Sequence, residues 1–172
     1  MLPAVNDELV RRMVEVSELH GDFVLSSGAR SSVYFDKFRF LTDPELLRDV
    51  ARAVAGLIPS EADHLAAPEG AATLLAAAVS LETGLPVAVV RKEAKAYGTK
   101  NLVEGHAPAG ANAVLIEDVS TTGHQVLRAA KALEAEGVRI VKIVLALDRG
   151  GADHLREANY EVEAVAVLRP DR

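Results

Sequence analysis

The chain has 172 residues, enough for one packed core, and its 49% hydrophobic and 26% charged content is that of a globular rather than a disordered protein. A formal net charge of −6 gives no support to general nucleic-acid binding, which needs a basic face. The absence of cysteine excludes disulfides, thiolate nucleophiles and cysteine metal sites.

The opening MLPAVNDELVRRMVEV mixes acids with bases and lacks the apolar centre of a signal peptide. No apolar run approaches the ~20 residues that span a bilayer, so the expected location is the cytoplasm, with no membrane partner. Leu9, Met13, Val16 and Leu19 stand at helical spacing behind Asn6, a suitable cap. Gly21 to Phe40 reads as short extended pieces broken at Ser26-Ser27-Gly28. Pro44 opens a second helix, capped by Thr42 or Asp43 and running to about Ile58.

Short apolar runs and helices then alternate. His64 to Ala67 is a strand, Gly70 to Leu81 a buried Ala-rich helix, and Pro86 to Val90 a β-branched buried strand. Val114 to Ile116 is another strand, followed by a helix through Leu127, Ala130 and Leu133 that ends at Gly137. Ile140 to Leu147 and Val162 to Leu168 are strands, with a short helix at His154 to Ala158 between them. This alternation implies an α/β fold with right-handed crossovers and a mainly parallel sheet flanked by helices. A single domain over 1–172 is expected. A helix and small N-terminal hood would occupy about 1–40, outside an α/β core over about 41–172. Ligands of such sheets bind at the carboxyl ends of the strands.

At one such end stand Glu117-Asp118-Val119-Ser120-Thr121-Thr122-Gly123. Two carboxylates close a buried strand, and a hydroxyl-rich turn opens a helix. Backbone N–H groups at a helix start form a phosphate cradle, and the acids ahead of it suit ribose hydroxyls or a magnesium ion. The plainer alternative is that the hydroxyls merely cap the helix. A second stretch, Arg91-Lys92-Glu93-Ala94-Lys95-Ala96-Tyr97-Gly98-Thr99-Lys100-Asn101-Leu102-Val103-Glu104-Gly105, gathers four cations in an acidic chain. Such a loop can close over a polyanion, although most charge-rich loops are simply solvated.

The strand, acids and Thr/Gly turn resemble the ribose-phosphate signature of type I phosphoribosyltransferases, and RKEAK followed by YG and NLVEG resembles the flexible loop of orotate phosphoribosyltransferases. Gly21 to Gly28 with Ser31-Ser32-Val33-Tyr34-Phe35-Asp36, and Leu147-Asp148-Arg149-Gly150-Gly151, resemble the hood and a later strand end of the same family. These matches run in order from about Gly21 to about Gly151. The resemblance implies the type I phosphoribosyltransferase fold and transfer of the phosphoribosyl group from phosphoribosyl pyrophosphate to orotate. By it, Glu117 and Asp118 meet the ribose hydroxyls, Ser120, Thr121, Thr122, Gly123, His124 and Gln125 bind the 5-phosphate, and Val119 also contacts phosphoribosyl pyrophosphate. Arg91, Lys92, Lys95 and Tyr97 meet the pyrophosphate, and Tyr34, Phe35, Thr121 and Arg149 meet orotate. Lys95 and Asp118 are the implied catalytic residues, Mg2+ the implied cofactor, and a homodimer with shared active sites the implied assembly. No directly bound metal ligand is assigned.

Five positions depart from the family pattern. His124-Gln125 replace small or hydroxyl residues, Tyr97 replaces a histidine, Ser26 replaces a lysine, and Glu69 stands where lysine is frequent, with no cation nearby in sequence. The remaining histidines show no ligand spacing and read as surface or core residues. Two other functions share these motifs: a type I transferase for another base, and a non-catalytic regulator that binds phosphoribosyl pyrophosphate.

Overall fold

The computed structural model describes residues 7–25, 28–93 and 101–168. Its elements in order are α1 (Asp7–Ser17), β1 (Glu18–Val24), β2 (Arg30–Phe35), α2 (Phe38–Leu41), α3 (Pro44–Ala55), β3 (His64–Pro68), α4 (Ala71–Thr83), β4 (Val87–Val90), β5 (Val103–Glu104), β6 (Asn112–Ser120), α5 (His124–Ala135), β7 (Arg139–Asp148), α6 (Gly151–Glu157) and β8 (Val162–Val167).

The main sheet has six strands in the order β5-β4-β3-β6-β7-β8. β3 pairs parallel with β4 and β6, β7 pairs parallel with β6 and β8, and the short β5 alone runs antiparallel on the edge beside β4. Alternate residues of the central strands feed two apolar layers. Val114 and Ile116 of β6 pack with α1, α3 and α4, whereas Ala113 and Leu115 pack with α5 and α6. Both faces are therefore covered, which is why these strands read as continuous apolar runs rather than as alternating ones.

Several sequence expectations are corrected. Leu19 belongs to β1 rather than to the first helix, which ends at Ser17. Leu9 and Met13 are buried in the main apolar cluster, so α1 is part of the core rather than a cap outside it. The segment ending at Phe40 is not wholly extended: α2 forms because it buries Phe40 and Leu41, and Phe40 meets Phe35 with ring centres 6.5 Å apart. The next helix stops at Ala55, short of Ile58. Leu57 N–H donates back to the Val54 carbonyl in a tighter turn, and Pro59 disfavours helical backbone at the residue before it. Of the two candidate caps, Asp43 serves, its carboxylate accepting from Glu45 N–H at 3.0 Å and Leu46 N–H at 2.8 Å.

The hood is the two-stranded antiparallel sheet of β1 and β2. Asp36 N–H donates to the Ser17 carbonyl at 2.8 Å, which ties the end of the hairpin back to α1. Phe35 packs against the core cluster, while Tyr34 is 44% exposed and stacks on Phe23 at 5.5 Å.

Candidate active site

The parallel strands end together along one edge: Pro68 is paired with Val90, and Ser120 with Asp148. Most of the candidate residues gather there. The two acids stand toward the carboxyl end of their strand, as expected, but do not close it: β6 runs on past them to Ser120. Pairing with β7 continues through Glu117, Val119 and Ser120, so β6 extends well past Ile116 and carries both carboxylates into the interior. Glu117 is 3% exposed and Asp118 not at all.

Two buried neighbouring carboxylates repel each other and resist ionisation. The structure resolves this conflict with one proton and one cation. Burial, reinforced by the hydrogen bond and charge of Asp118, pushes the Glu117 carboxyl up to about 9. Lys37 Nζ lies 3.0 Å from Asp118 Oδ2 and donates to Oδ1 at 3.3 Å. Val119 N–H donates to Asp118 Oδ1 at 2.7 Å, and Asp118 N–H to Glu117 Oε1 at 3.2 Å. Sequence reasoning missed Lys37. It lies between β2 and α2, far along the chain from Asp118, and the packing of α2 into the core through Phe40 and Leu41 brings the two together.

The hydroxyls of the following turn do not cap the helix. Gly123 is the N-cap of α5 and there is no side-chain cap hydrogen bond, so the first N–H groups of the helix remain available to an anion. Thr121 and Thr122 are exposed, whereas Ser120 Oγ is buried without a hydrogen-bond partner among the described residues. His124 opens the helix exposed and stacks on His154 with ring centres 4.8 Å apart; Gln125 is also exposed.

Glycines let this turn meet the β7–α6 turn. A Cβ on Gly151 would fall 2.0 Å from Ser120 Oγ and 2.9 Å from Gly123 N, and one on Gly123 would fall 2.7 Å from the Gly151 carbonyl oxygen. Gly123 also has φ +77°, a conformation that favours glycine. Arg149 N–H donates to the Ser120 carbonyl at 2.8 Å, and Asp148 Oδ1 accepts from Gly150 N–H at 2.9 Å and Ala152 N–H at 3.1 Å. Arg149 is thereby fixed through its backbone to the residue that precedes Thr121. Its guanidinium carbon lies 5.2 Å from the Phe35 ring centre, and its Nε is buried without a hydrogen-bond partner among the described residues.

Across the sheet, Arg91 and Lys92 follow β4. Lys95 and Tyr97 lie outside the described residues, as does Ser26. Glu69, which had no cation near it in sequence, has one in space. Its Oε2 lies 3.9 Å from an Arg91 guanidinium nitrogen, and its Oε1 accepts from Lys92 N–H at 2.6 Å. The adjacent start of α4 is Gly70, with φ +110°, no side-chain cap and open space on its Cβ side. It is a second uncapped helix start on the same edge. Among the described residues no cluster of three or more histidines or acids could hold a metal ion, and no helix is long and apolar enough to cross a membrane.

The edge thus combines a buried acid pair, two open helix starts, cations and an arginine facing an aromatic ring. That set can hold a sugar, its phosphates and a planar anion side by side. Residues 39–166 match the phosphoribosyl transferase domain family. The orotate phosphoribosyltransferase of Thermococcus gammatolerans is 44% identical over 147 residues, 83% of this chain and 78% of that one. Its Pyrococcus furiosus counterpart is 40% identical over 170 residues, 95% of this chain and 93% of that one. The crystal structure of Mycobacterium tuberculosis orotate phosphoribosyltransferase with Fe(III) dicitrate superposes with a TM-score of 0.84 at 28% identity, covering 95% of this chain and 97% of that one. The same enzyme solved with 5-phospho-alpha-D-ribosyl 1-diphosphate gives 0.79 at 25% identity, covering 95% and 96%. With the sheet order, the site and these likenesses in agreement, the chain belongs to the orotate phosphoribosyltransferase family of type I phosphoribosyltransferases.

Proposed function

We propose that this chain transfers the 5-phosphoribosyl group from phosphoribosyl pyrophosphate to orotate, forming orotidine 5'-monophosphate and pyrophosphate in UMP biosynthesis. The observation that carries the choice of base is Arg149, buried at Nε and set against Phe35. A planar guanidinium against an aromatic face suits a flat ring that bears a carboxylate.

In this reading Asp118 and Glu117 hold the ribose hydroxyls, and the backbone from Val119 through Ser120, Thr121, Thr122, Gly123, His124 and Gln125 cradles the 5-phosphate. Arg91, Lys92, Lys95 and Tyr97 meet the pyrophosphate, and Tyr34, Phe35, Thr121 and Arg149 enclose orotate. As the bond from the ribose to pyrophosphate breaks, a ring nitrogen of the base takes the anomeric carbon. Negative charge grows on the departing oxygens and positive charge on the sugar. Cations at the first and the Asp118 carboxylate at the second favour that state over the bound substrate. No protein nucleophile is needed.

Magnesium enters as part of the substrate. It retains water readily and binds through substrate phosphates, and the buried Asp118 carboxylate already has Lys37 as its partner. The chain works in the cytoplasm as one domain and as a homodimer, with Lys95 reaching the neighbouring site. Incubation with magnesium, phosphoribosyl pyrophosphate and a panel of bases, with pyrophosphate release as the signal, tests the assignment. Release is expected with orotate. A purine preferred over orotate would overturn the base, and tight binding of phosphoribosyl pyrophosphate without turnover of any base would make the chain a regulator.

A further inference from the structure

Asp118 poses a problem that Lys37 answers. The Asp118 side chain has no solvent exposure, whereas the Lys37 side chain that pairs with it is 38% exposed. The ammonium therefore lies on the solvent side of the carboxylate, where ribose hydroxyls would have to arrive. The backbone around Lys37 is pinned: Asp36 N–H is bonded to the Ser17 carbonyl at 2.8 Å, and the Lys37 carbonyl accepts from Leu41 N–H at 3.3 Å at the start of α2. The side chain can still move, because lysine carries a compact charge and three rotatable donors on a flexible stem.

A displaced ammonium needs another anion, since a charge left partly buried and unpaired is costly. In phosphoribosyl pyrophosphate the carbon that bears the leaving group adjoins the carbon that bears the 2-hydroxyl. A lysine pushed off the diol-binding carboxylate therefore meets the pyrophosphate first.

Resting on the reading above, we infer that Lys37 is exchanged on substrate binding, giving up Asp118 to the ribose hydroxyls and taking the pyrophosphate as its new partner. One lysine of the hood then serves in turn as counter-ion of the empty site and as ligand of the substrate. It gives a ribose phosphate that carries a pyrophosphate an advantage over one that does not, because only the former repays the broken ion pair.

The test compares two ligands that share the ribose 5-phosphate. Affinities for phosphoribosyl pyrophosphate and for ribose 5-phosphate are measured by calorimetry, with magnesium and without orotate, in the wild type and in Lys37→Met. Lys37→Gln, which can still hydrogen-bond to Asp118, serves as a second variant should the first melt early. Loss of a charged hydrogen bond should weaken phosphoribosyl pyrophosphate by about tenfold to a hundredfold, whereas ribose 5-phosphate, which no longer has an ion pair to break, should bind at least as well as to the wild type. Equal losses on both ligands would mean that Lys37 only supports Asp118, and no loss on either that it takes no part; both overturn the inference. The ratio of affinities reports on the lysine whichever base is the acceptor, whereas failure of the orotate assignment shows separately, as wild-type protein that makes no orotidine 5'-monophosphate.

Discussion

Arg149 lies over the Phe35 ring, the guanidinium carbon 5.2 Å from the ring centre, although one directly follows core strand β7 and the other ends the hood hairpin. The contact joins the two parts of the molecule at the place where the base is proposed to lie. Arg149 reaches it because its own N–H is fixed to the Ser120 carbonyl at 2.8 Å.

Arg149→Ala should therefore lose about 2–4 kcal/mol of transition-state stabilisation on orotate, the scale of a broken desolvated charge pair. In kcat/KM this is a fall of tens- to several-hundred-fold. Uracil, which lacks the carboxylate, should lose far less. Steady-state kinetics with both bases and both proteins decide the matter, and equal losses would leave Arg149 a support for the strand end.

The acid pair predicts a pH dependence of stability. Folded Glu117 keeps its proton up to about 9, against an ordinary value of 4.5. Between those two values the folded chain holds a proton that the unfolded chain has released. The stability linked to Glu117 is thus fully present below the ordinary value and is lost as pH rises through the window, by at most about 1.4 kcal/mol per pH unit. Glu117→Gln cannot ionise, so its melting temperature should gain on that of the wild type as the solution is made more alkaline. Parallel melting curves across this range would refute the assignment.

Gly151→Ala should damage the phosphate cradle from behind. Its Cβ would collide with Ser120 Oγ and crowd Gly123 N, so the turn must shift. We expect a stability loss of about 1–3 kcal/mol, typical of overpacking, and weaker binding of ribose 5-phosphate. Thermal melting and calorimetry check both. Ala at Gly56, whose added Cβ makes only ordinary contacts of 3.5 Å or more, is the control for glycine replacement as such.

Asp118→Asn should cut turnover strongly while the fold survives, because the amide keeps the shape but gives up the Lys37 ion pair. Lys95→Ala should be inactive for a different reason, the loss of a pyrophosphate contact made in the neighbouring site. Mixing the two proteins should restore part of the activity, since a hybrid dimer can assemble one site with an intact loop and an intact acid pair. No recovery after verified subunit exchange would argue against sharing.

The sequence by itself determined the layered α/β core, because apolar runs of strand length alternating with amphipathic helices leave few ways to bury both faces of a sheet. It also marked Glu117, Asp118 and the Thr/Gly turn, since a strand end followed by hydroxyl residues and glycine is a local signal, whereas Arg149 was marked only through the family resemblance. Local pattern could not reveal partners distant along the chain. Whether the hydroxyls of 120–122 cap a helix or leave it open is decided by the Gly123 backbone and the pressure of Gly151. That Glu69 lies beside Arg91 depends on the parallel pairing of β3 with β4. The pairing of Lys37 with Asp118 depends on α2, whose first turn Lys37 opens, packing Phe40 and Leu41 into the core. Burial turned two adjacent acids, which look alike as letters, into a neutral carboxyl at Glu117 and an ion pair at Asp118. The sequence supplies the charges, but the dielectric around them and the cation that reaches them exist only once the chain has packed.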